Sequence, residues 1–260
     1  MVLQKRTLGQ SGIMVSCLGL GTVKFGRNQG VKYPENFALP SDDTISSLLD
    51  QAQSLGINFL DTAPAYGSSE QRLGRLLTQR KDWVICTKVG EEFITGKSFY
   101  NFSKQHVRDS IERSLRNLKT DYLDLVLVHS DGNDIAIIDS TECLETLIEL
   151  KEAGLIRAIG MSTKSVEGGI KASDLTDVVM VTYNPSNNEN IEVIEYASKK
   201  NKGVIIKKAL NSGHDCKGNL EKNFDFSLNQ DGVTSIVFGT INGDHLASNV
   251  ARAIQVLTKK

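Results

Sequence analysis

Eight short apolar runs alternate with longer segments of helical period along this chain, and that alternation constrains the fold more than any other feature. The runs are rich in Val, Ile and Leu, and their lack of a polar face is typical of parallel strands covered by helices. The predicted strands are 15–20, 57–60, 84–87, 123–128, 156–159, 178–182, 204–206 and 235–238. Eight such βα units predict a closed α/β barrel with parallel strands, the (β/α)8 or TIM barrel.

The alternative fold is an open, doubly wound parallel sheet. That fold is disfavoured because residues 18–21 read Leu-Gly-Leu-Gly and lack both the third glycine and the helix start of a dinucleotide-binding turn. Before the first strand, the glycine-punctuated segment 8–12 predicts an N-terminal β-hairpin. The predicted helices begin near residues 41, 69, 103, 144, 164, 191, 219 and 246.

Length and charge limit the class of protein. The chain has 260 residues, of which 40% are hydrophobic, so we expect residues 1–260 to form a single barrel domain. The 30 basic and 31 acidic residues are interspersed, which argues against a nucleic-acid partner. The N-terminal segment lacks the apolar stretch of a secretory signal, and no run is long enough to span a bilayer. We therefore expect a soluble cytoplasmic protein, monomeric or weakly oligomeric, with no membrane partner.

The cysteines indicate neither a metal site nor a disulfide framework. They are far apart, and their spacing matches no paired metal-binding motif: Cys17, Cys86, Cys143 and Cys216. We predict free thiols in a reducing compartment and no metal.

Four polar side chains follow three successive predicted strands. Asp61 follows the second strand and opens the segment 61–67, Asp-Thr-Ala-Pro-Ala-Tyr-Gly, which contains Tyr66. Lys88 follows the third strand and His129 follows the fourth. If these strands are neighbours in a parallel sheet, all four groups emerge at one rim, where barrel enzymes carry their chemistry. Singly, each residue is more common as a turn, packing or solvated residue, but their joint placement favours a catalytic site.

Together these residues are suited to polarise and protonate a carbonyl group. A free tyrosine has a pKa of about 10, and a neighbouring ammonium favours the phenolate and lowers that pKa. Lys88 is the candidate ammonium, and Asp61 is the carboxylate that would keep it charged. His129 would hydrogen-bond the incoming carbonyl and orient it beside Tyr66. Hydride must come from a cofactor, because no side chain supplies it.

A resemblance to a known family is carried by segments 8–12, 15–16, 18–22, 58–67, 69–74, 124–129 and 151–160. The most diagnostic of these is 58–67, Asn-Phe-Leu-Asp-Thr-Ala-Pro-Ala-Tyr-Gly. The chain resembles the aldo-keto reductases, which are NAD(P)H-dependent oxidoreductases built on an eight-fold βα barrel, and it is similar to a compact member with a short C-terminal region. The resemblance implies that Tyr66 is the general acid/base, that Lys88 tunes it and that Asp61 supports Lys88. It also implies that His129 orients the carbonyl.

The same resemblance implies a nicotinamide cofactor, with NADP(H) favoured and NAD(H) as the alternative. The implied cofactor-binding residues are Gly21, Thr22, Asp61, Ser162, Thr163, Lys207, Lys208, Leu210, Gly239, Thr240, His245 and Asn249. Three positions depart from the family pattern. Met180 stands in place of a glutamine, Lys207 in place of an aromatic that commonly stacks on the nicotinamide, and Gly239 in place of a cation that many relatives carry. Backbone amides that enter the last helix are expected to cradle a phosphate.

We expect the protein to reduce a small aldehyde or ketone to an alcohol, with Tyr66 as the acid. Two alternatives stay open. One is a non-catalytic, NADP-binding or regulatory subunit, which the three departures would suit, and the other is a sugar or polyol dehydrogenase that works in the oxidative direction. The short C-terminal region predicts an open pocket. Its candidate apolar walls are the aromatic residues of the first and third βα loops, Phe25, Tyr33, Phe37, Phe93, Phe99 and Tyr100.

Overall fold

The computed structural model of the protein describes residues 3–33, 36–211 and 220–258. The strands in these residues are β1 (Lys5–Thr7), β2 (Met14–Ser16), β3 (Leu18–Gly21), β4 (Phe59–Asp61), β5 (Val84–Val89), β6 (Glu91–Ile94), β7 (Lys97–Tyr100), β8 (Leu123–His129), β9 (Ile156–Ser162), β10 (Val178–Thr182), β11 (Gly203–Lys207) and β12 (Ser235–Gly239). Within this part of the chain, eight parallel strands, β3, β4, β5 and β8 to β12, close into a barrel in chain order. The predicted barrel fold is therefore confirmed.

The N-terminal hairpin closes the amino-terminal end of the barrel. β1 and β2 pair antiparallel, as predicted, and Leu8, Ile13 and Val15 from the hairpin join the buried cluster of the barrel interior. Val15 therefore belongs to the hairpin and not to the first barrel strand, where the apolar pattern had placed it. Phe59 fills the same interior, and a Cβ on Gly19 would lie 2.4 Å from its ring. The glycine in β3 is what makes room for that ring.

Helices cover the outside of the barrel. They are α1 (Val23–Gly26), α2 (Asp42–Ser54), α3 (Ser69–Leu76), α4 (Lys104–Leu118), α5 (Asp134–Ser140), α6 (Cys143–Glu152), α7 (Val166–Leu175), α8 (Ile191–Lys199), α9 (Leu220–Leu228) and α10 (Gly243–Thr258). The side chain of Ser41 caps α2 and that of Ser103 caps α4, each by accepting a backbone N–H from three residues on. Such caps contribute about 1 kcal/mol each and explain why both helices start where the sequence predicts.

Two short helices and one β-hairpin were not predicted. They are the short helices α1 and α5 and the antiparallel hairpin of β6 and β7, which lies in the loop after β5. All four residues of β7 are exposed. The strand therefore lacks the alternation of buried and exposed residues from which a strand can be predicted. The turn between the strands has Thr95 at φ +49° and Gly96 at φ +84°, the left-handed backbone that tight hairpins require.

Two other expectations can be compared with the described residues. Cys17, Cys86 and Cys143 are buried free thiols, whereas Cys216 lies outside the described residues, as does residue 219, the predicted start of a helix. No helix within residues 3–33, 36–211 and 220–258 is both long enough and apolar enough to cross a membrane.

Candidate active site

The predicted catalytic residues lie together at the carboxyl-terminal rim of the barrel. Asp61 is the last residue of β4, Lys88 is next to last in β5, and His129 is the last residue of β8. β5 pairs in parallel with both β4 and β8, so the three strand ends are neighbours. Tyr66 reaches the same rim from a 3-10 turn, Pro64–Tyr66, in the loop after β4.

Lys88 is the centre of this group, and its ammonium has three partners. Nζ lies 2.5 Å from Asp61 Oδ1 and donates hydrogen bonds to the Thr62 carbonyl oxygen at 2.8 Å and to Tyr66 Oη at 3.2 Å. The exposed fraction is 2% for the Lys88 side chain and 7% for that of Asp61. Burial alone would lower the pKa of Lys88, but the Asp61 carboxylate, together with Tyr66 and Cys86, outweighs burial, and the net pKa is raised. The ammonium therefore stays charged at neutral pH.

The position of Tyr66 depends on the glycine that follows it. Gly67 ends the 3-10 turn with φ +61° and ψ −122°, a conformation that is nearly restricted to glycine. A Cβ there would lie 2.2 Å from the carbonyl oxygen of Gly26, at the end of α1. The chain thus crosses α1 closely and turns sharply, which directs the Tyr66 side chain back towards Lys88.

Burial raises the pKa of Tyr66 above its ordinary value. Lys88 acts in the opposite direction, as the sequence predicts, but the Asp61 carboxylate adds to the increase. The expectation of a net acidified phenol is therefore wrong. Its physical reason is that the phenolate loses its hydration in this enclosed site, while the one ammonium beside it is already balanced by a carboxylate. The phenol keeps its proton at neutral pH.

Glu91, the first residue of β6, is a site residue that sequence reasoning missed. Its Oε2 lies 2.8 Å from His129 Nδ1, and its Oε1 accepts a hydrogen bond from Ser98 Oγ at 2.6 Å. Burial would raise the pKa of Glu91, but the interaction with His129, helped by Ser98 and Arg27, lowers it to about 2. Glu91 is followed by a second glutamate, and nothing in the sequence distinguishes the buried carboxylate from its more exposed neighbour.

The carboxylate of Glu91 sets the hydrogen-bonding state of His129. Burial lowers the pKa of His129, so the imidazole is neutral at neutral pH, although Glu91 opposes this shift. A neutral ring whose Nδ1 faces a carboxylate carries its proton on Nδ1. Nε2 then donates a hydrogen bond only when the ring takes up a second proton, as the pH falls.

Aromatic residues of the first βα loop cover the rim beside this group. The rings of Tyr33 and Phe37 pack edge to face with centroids 5.7 Å apart, and Lys24 Nζ lies 4.0 Å from the centre of the Tyr33 ring. A Cβ on Gly239, at the end of β12, would lie 2.7 Å from Tyr33 Oη. Burial, with a smaller effect of Asp61, raises the pKa of Tyr33 to about 12. Tyr33 therefore borders both β12 and the predicted catalytic residues.

The other predicted wall residues have different surroundings. The sequence made Phe25 a candidate for the pocket wall. Phe25 is instead fully buried in the main core, where it supports the loop and does not line the pocket. The Phe93 ring packs against the guanidinium of Arg27, whose Cζ lies 3.4 Å from the ring centre. Phe99 and Tyr100 are 51% and 39% exposed on β7. The third loop thus presents aromatic surface beside the rim.

Ser162, Thr163 and Lys207 form a second cluster on the rim. Lys207 Nζ donates hydrogen bonds to Ser162 Oγ and to the Thr163 carbonyl oxygen, both at 2.8 Å. Ser162 pairs in register with His129, so this cluster adjoins the predicted catalytic residues. The hydroxyl of Thr163 is buried without a hydrogen-bond partner among the described residues, and a Cβ on Gly169 of α7 would lie 3.3 Å from it. The Thr163 side chain therefore faces α7, and its backbone faces Lys207.

Met180 and the residues that follow β11 complete this side. Met180 pairs in register with Ser162 and packs in the barrel interior. Its side chain has no amide group with which to hydrogen-bond a cofactor, unlike the glutamine of the family pattern. Lys208 has a left-handed backbone with φ +57°, and its carbonyl oxygen accepts a hydrogen bond from Asn184 Nδ2 at 2.8 Å. Leu210 is partly buried against the core. Of the predicted cofactor residues at the end of β11 and directly after it, Lys207 and Lys208 have side chains suited to binding an anion.

The residues predicted after β3 form a hydrogen-bonded junction. Gly21 pairs with Gly239 of β12, and Thr22 Oγ1 donates to the Asp61 carbonyl oxygen at 2.9 Å. Ser69 Oγ donates in turn to Thr22 Oγ1 at 2.8 Å. The Thr22 hydroxyl therefore links the start of α3 to the end of β4, next to the loop that contains Tyr66.

Asn242 occupies the amino terminus of α10, where a phosphate cradle was predicted. Its Oδ1 accepts hydrogen bonds from the backbone N–H groups of Asp244 at 2.8 Å and His245 at 3.0 Å. A phosphate would have to displace Asn242 to use those amides. The His245 side chain is exposed, whereas Thr240 and Asn249 are 6% and 7% exposed.

The fold and the rim define a closed eight-stranded α/β barrel whose candidate site lies at the carboxyl ends of its strands. The chain belongs to the aldo/keto reductase family, because the model of that family matches residues 17–225.

Individual relatives show the same similarity. A crystal structure of a Pseudomonas aeruginosa protein, provisionally assigned as an aldo-keto reductase, has a TM-score of 0.90 at 50% identity and covers 97% of this chain and 95% of that one. An uncharacterized oxidoreductase of Bacillus subtilis is 33% identical over 186 residues, 68% of this chain and 56% of its own length. L-galactose dehydrogenase of Arabidopsis thaliana is 30% identical over 226 residues, 81% of this chain and 66% of its own. The chain thus spans 56% to 66% of the length of these two curated relatives.

Proposed function

We propose that the protein is an NAD(P)H-dependent oxidoreductase that reduces an aldehyde or ketone to an alcohol. The observation that carries this proposal is the hydrogen-bonded chain from the buried Asp61 and Lys88 to the partly buried Tyr66 hydroxyl, which ends beside His129. Such a chain holds one proton of the phenol at a fixed place. Membership of the aldo/keto reductase family supports the same activity.

One sector of the rim suits the phosphate groups of a dinucleotide. Lys164 is close enough there to lower the pKa of Lys207 and that of Lys208. Among the described residues, no carboxylate lies within 4.0 Å of the Nζ atoms of these three lysines. These lysine side chains and the Ser162 hydroxyl can donate hydrogen bonds to phosphate oxygens and to an amide oxygen. Gly239 leaves the end of β12 without a side chain. These residues would hold NADP(H) or NAD(H), and the bound nicotinamide supplies hydride.

The chain's own residues would move the proton. Tyr66 donates its phenolic proton to the carbonyl oxygen as negative charge develops there, and Lys88, which hydrogen-bonds the phenolic oxygen, stabilises the phenolate that remains. Asp61 keeps Lys88 charged and in place. At neutral pH the neutral His129 ring would position the substrate by packing beside Tyr66, and it would donate a hydrogen bond to the carbonyl oxygen only at a pH low enough to protonate the ring doubly.

Tyr66→Phe is the decisive variant, because it removes the proton and retains the ring. We expect turnover of an aldehyde panel, followed at the nicotinamide absorbance, to fall by roughly 10²- to 10⁴-fold. The dissociation constant of NADPH, measured by fluorescence titration, should change less than about twofold because the ring remains. Wild-type turnover in the variant would rule out the proposed role of Tyr66.

A matched control is Tyr196→Phe. Tyr196 Oη hydrogen-bonds Asp174 on the outer surface, far from the rim, and this variant makes the same chemical change without expected effect on turnover. Titration of the wild type with NADPH and NADH also tests our preference for NADP(H). If neither nucleotide binds at high micromolar concentration, a non-catalytic role in regulation is favoured instead.

Oxidation of a sugar or polyol is the second candidate, because one similar protein is named L-galactose dehydrogenase. Reduction needs the phenol of Tyr66, whereas oxidation needs its phenolate. Since the pKa of Tyr66 is raised, reduction is favoured at neutral pH. We expect any alcohol oxidation to increase by about tenfold per pH unit above neutrality, while reduction lacks this increase. Oxidation that is independent of pH between 7 and 9 would contradict this assignment.

A further inference from the structure

Lys207 carries a partly buried amine on the rim that the proposed proton transfer does not use. It ends β11, which lies four strands from β5 around the eight-stranded barrel, so Lys207 and Lys88 face each other across the mouth. The two hydrogen-bond acceptors of Nζ, Ser162 Oγ and the Thr163 carbonyl oxygen, are both neutral. Within the described residues, no carboxylate lies within 4.0 Å of this amine.

The charged groups around Lys207 are mostly cations. Lys208 follows it in the chain, Lys164 faces it from the loop after β9, and Lys88 faces it from β5. Asp134 on α5 acts in the opposite direction, but its carboxylate already accepts hydrogen bonds from backbone N–H groups of the loop after β9. Lys207 therefore lacks the counter-charge that a buried ammonium needs.

Burial, with the neighbouring ammonium groups, lowers the pKa of Lys207 to about 7. An ordinary lysine has a pKa of about 10.4, so at pH 7 only about one such amine in 2,500 is neutral, against about half for Lys207. A neutral amine is a nucleophile. Removal from water and a neighbouring cation are the two ways in which proteins activate lysine for imine formation.

We propose that Lys207 is a nucleophilic lysine that condenses with small aldehydes at the mouth of the barrel. The Nζ lone pair forms a bond to the carbonyl carbon, the carbonyl π electrons move to oxygen, and a proton passes from nitrogen to that oxygen. Loss of water from the resulting carbinolamine gives the C=N bond, so the products are an imine and water, and no oxidant or reductant is needed. Ser162 Oγ, 2.8 Å from Nζ, is placed to carry the proton. The proposal rests on the proposed function for the class of ligand, an aldehyde.

Reductive trapping tests this proposal. The protein, without nucleotide, is incubated with propionaldehyde and sodium cyanoborohydride at pH 7, and the propylated lysines are mapped by peptide mass spectrometry. We expect the initial rate at Lys207 to be on the order of 100-fold above the rate at the exposed Lys199, because far more of the amine is neutral. Equal rates at the two residues would overturn the proposal.

Three variants test whether the fast trapping is specific to Lys207. Lys208→Met removes a neighbouring cation and should slow the trapping of Lys207 at pH 7 several-fold, whereas Lys199→Met should not change it. Lys207→Arg keeps a cation beside Ser162 but forms no imine, and it should lose the fast reaction. Its guanidinium stays charged without a counter-charge, so we expect a lower midpoint of thermal unfolding but a folded protein at the temperature of trapping. Fast trapping that persists elsewhere in Lys207→Arg would contradict the assignment.

Failure of this proposal can be distinguished from failure of the proposed function, because trapping uses neither nucleotide nor Tyr66. Absence of selective trapping in a protein that reduces aldehydes with NADPH would overturn the imine chemistry alone. Selective trapping in a protein without reductase activity would support the imine chemistry and overturn the proposed reduction.

Discussion

Two lysines face each other across the mouth of the barrel, and they differ in counter-charge. Lys88 Nζ lies 2.5 Å from Asp61 Oδ1, whereas Lys207 Nζ contacts the neutral oxygens of Ser162 and Thr163. Burial lowers the pKa of each amine, but for Lys88 the Asp61 carboxylate, together with Tyr66 and Cys86, outweighs burial and the net pKa is raised. For Lys207 the pKa falls to about 7.

The comparison teaches that counter-charge, more than position on the fold, decides what a lysine can do. Both residues belong to parallel strands and lie at the same rim. A paired ammonium is a permanent charge that tunes its neighbour Tyr66, and an unpaired amine is a base and nucleophile near neutrality. One barrel mouth thus contains two chemically different amines.

The largest expected effect comes from Lys88→Met. This variant removes the hydrogen bond to Tyr66 Oη and the charge that stabilises the phenolate, so we expect the turnover number for carbonyl reduction to fall by roughly 10²- to 10⁴-fold. Steady-state kinetics with NADPH measures the loss, and Lys171→Met, on the outer surface, is the control. A loss of the same size in Lys207→Met would break the distinction between the two lysines.

Asp61→Asn tests the counter-charge of Lys88 through stability. The variant leaves a buried ammonium without its carboxylate, and we expect the free energy of unfolding to fall by about 3–5 kcal/mol, measured by urea denaturation. Asp139→Asn removes the partner of Lys171 in an exposed ion pair, and it should cost at most about 1 kcal/mol. Similar losses in the two variants would mean that burial of the Asp61–Lys88 pair does not matter.

Glu91 extends the comparison to a carboxylate that has a partner. Its pKa is about 2 in the folded protein against an ordinary 4.5, so its stabilisation is fully present above pH 4.5 and is lost as the pH falls towards 2. The difference corresponds to about 3 kcal/mol in the free energy of unfolding. Urea denaturation between pH 2 and 6 measures it. Glu91→Gln should lack this part of the pH dependence, and an unchanged profile would contradict the role of Glu91.

Ser162→Asp would make Lys207 resemble Lys88, and its effect is the smallest of the four. Ser162 Oγ lies 2.8 Å from Lys207 Nζ, so a carboxylate at this position should raise the pKa of Lys207 by about 1–2 units. The pH midpoint of reductive trapping by propionaldehyde measures the shift. Ser162→Asn, of similar size and without charge, should leave the midpoint close to that of the wild type.

Much of the fold was accessible from the sequence because parallel barrels repeat one simple pattern. Once the alternation of apolar runs and helices is recognised, the end of every strand is assigned to the same rim. The meeting of Asp61, Lys88 and His129 follows from that rule, since their strands are consecutive in the barrel. Their catalytic and cofactor-binding roles stay predictions that the variants above test.

The parts of the site that were not predicted from the sequence lie in segments without such a repeat. Glu91 belongs to a hairpin without a regular alternation of buried and exposed residues, and its burial depends on contacts with Arg27 and His129 from distant segments. Asn242 caps α10 with a side chain that the sequence presents as an ordinary turn residue. Neither role is visible locally, because each depends on a contact made after the chain has folded.

The sequence by itself determined the barrel, the order of its strands and the rim at which the polar side chains emerge, because apolar periodicity and strand direction are local properties that the barrel repeats eight times. The tertiary structure alone decided the protonation of those side chains: a Tyr66 that keeps its proton, a charged Lys88 and a half-neutral Lys207. The physical reason is that a pKa reflects the balance between lost hydration and the distance to each neighbouring charge, and both are set only when remote parts of the chain pack together.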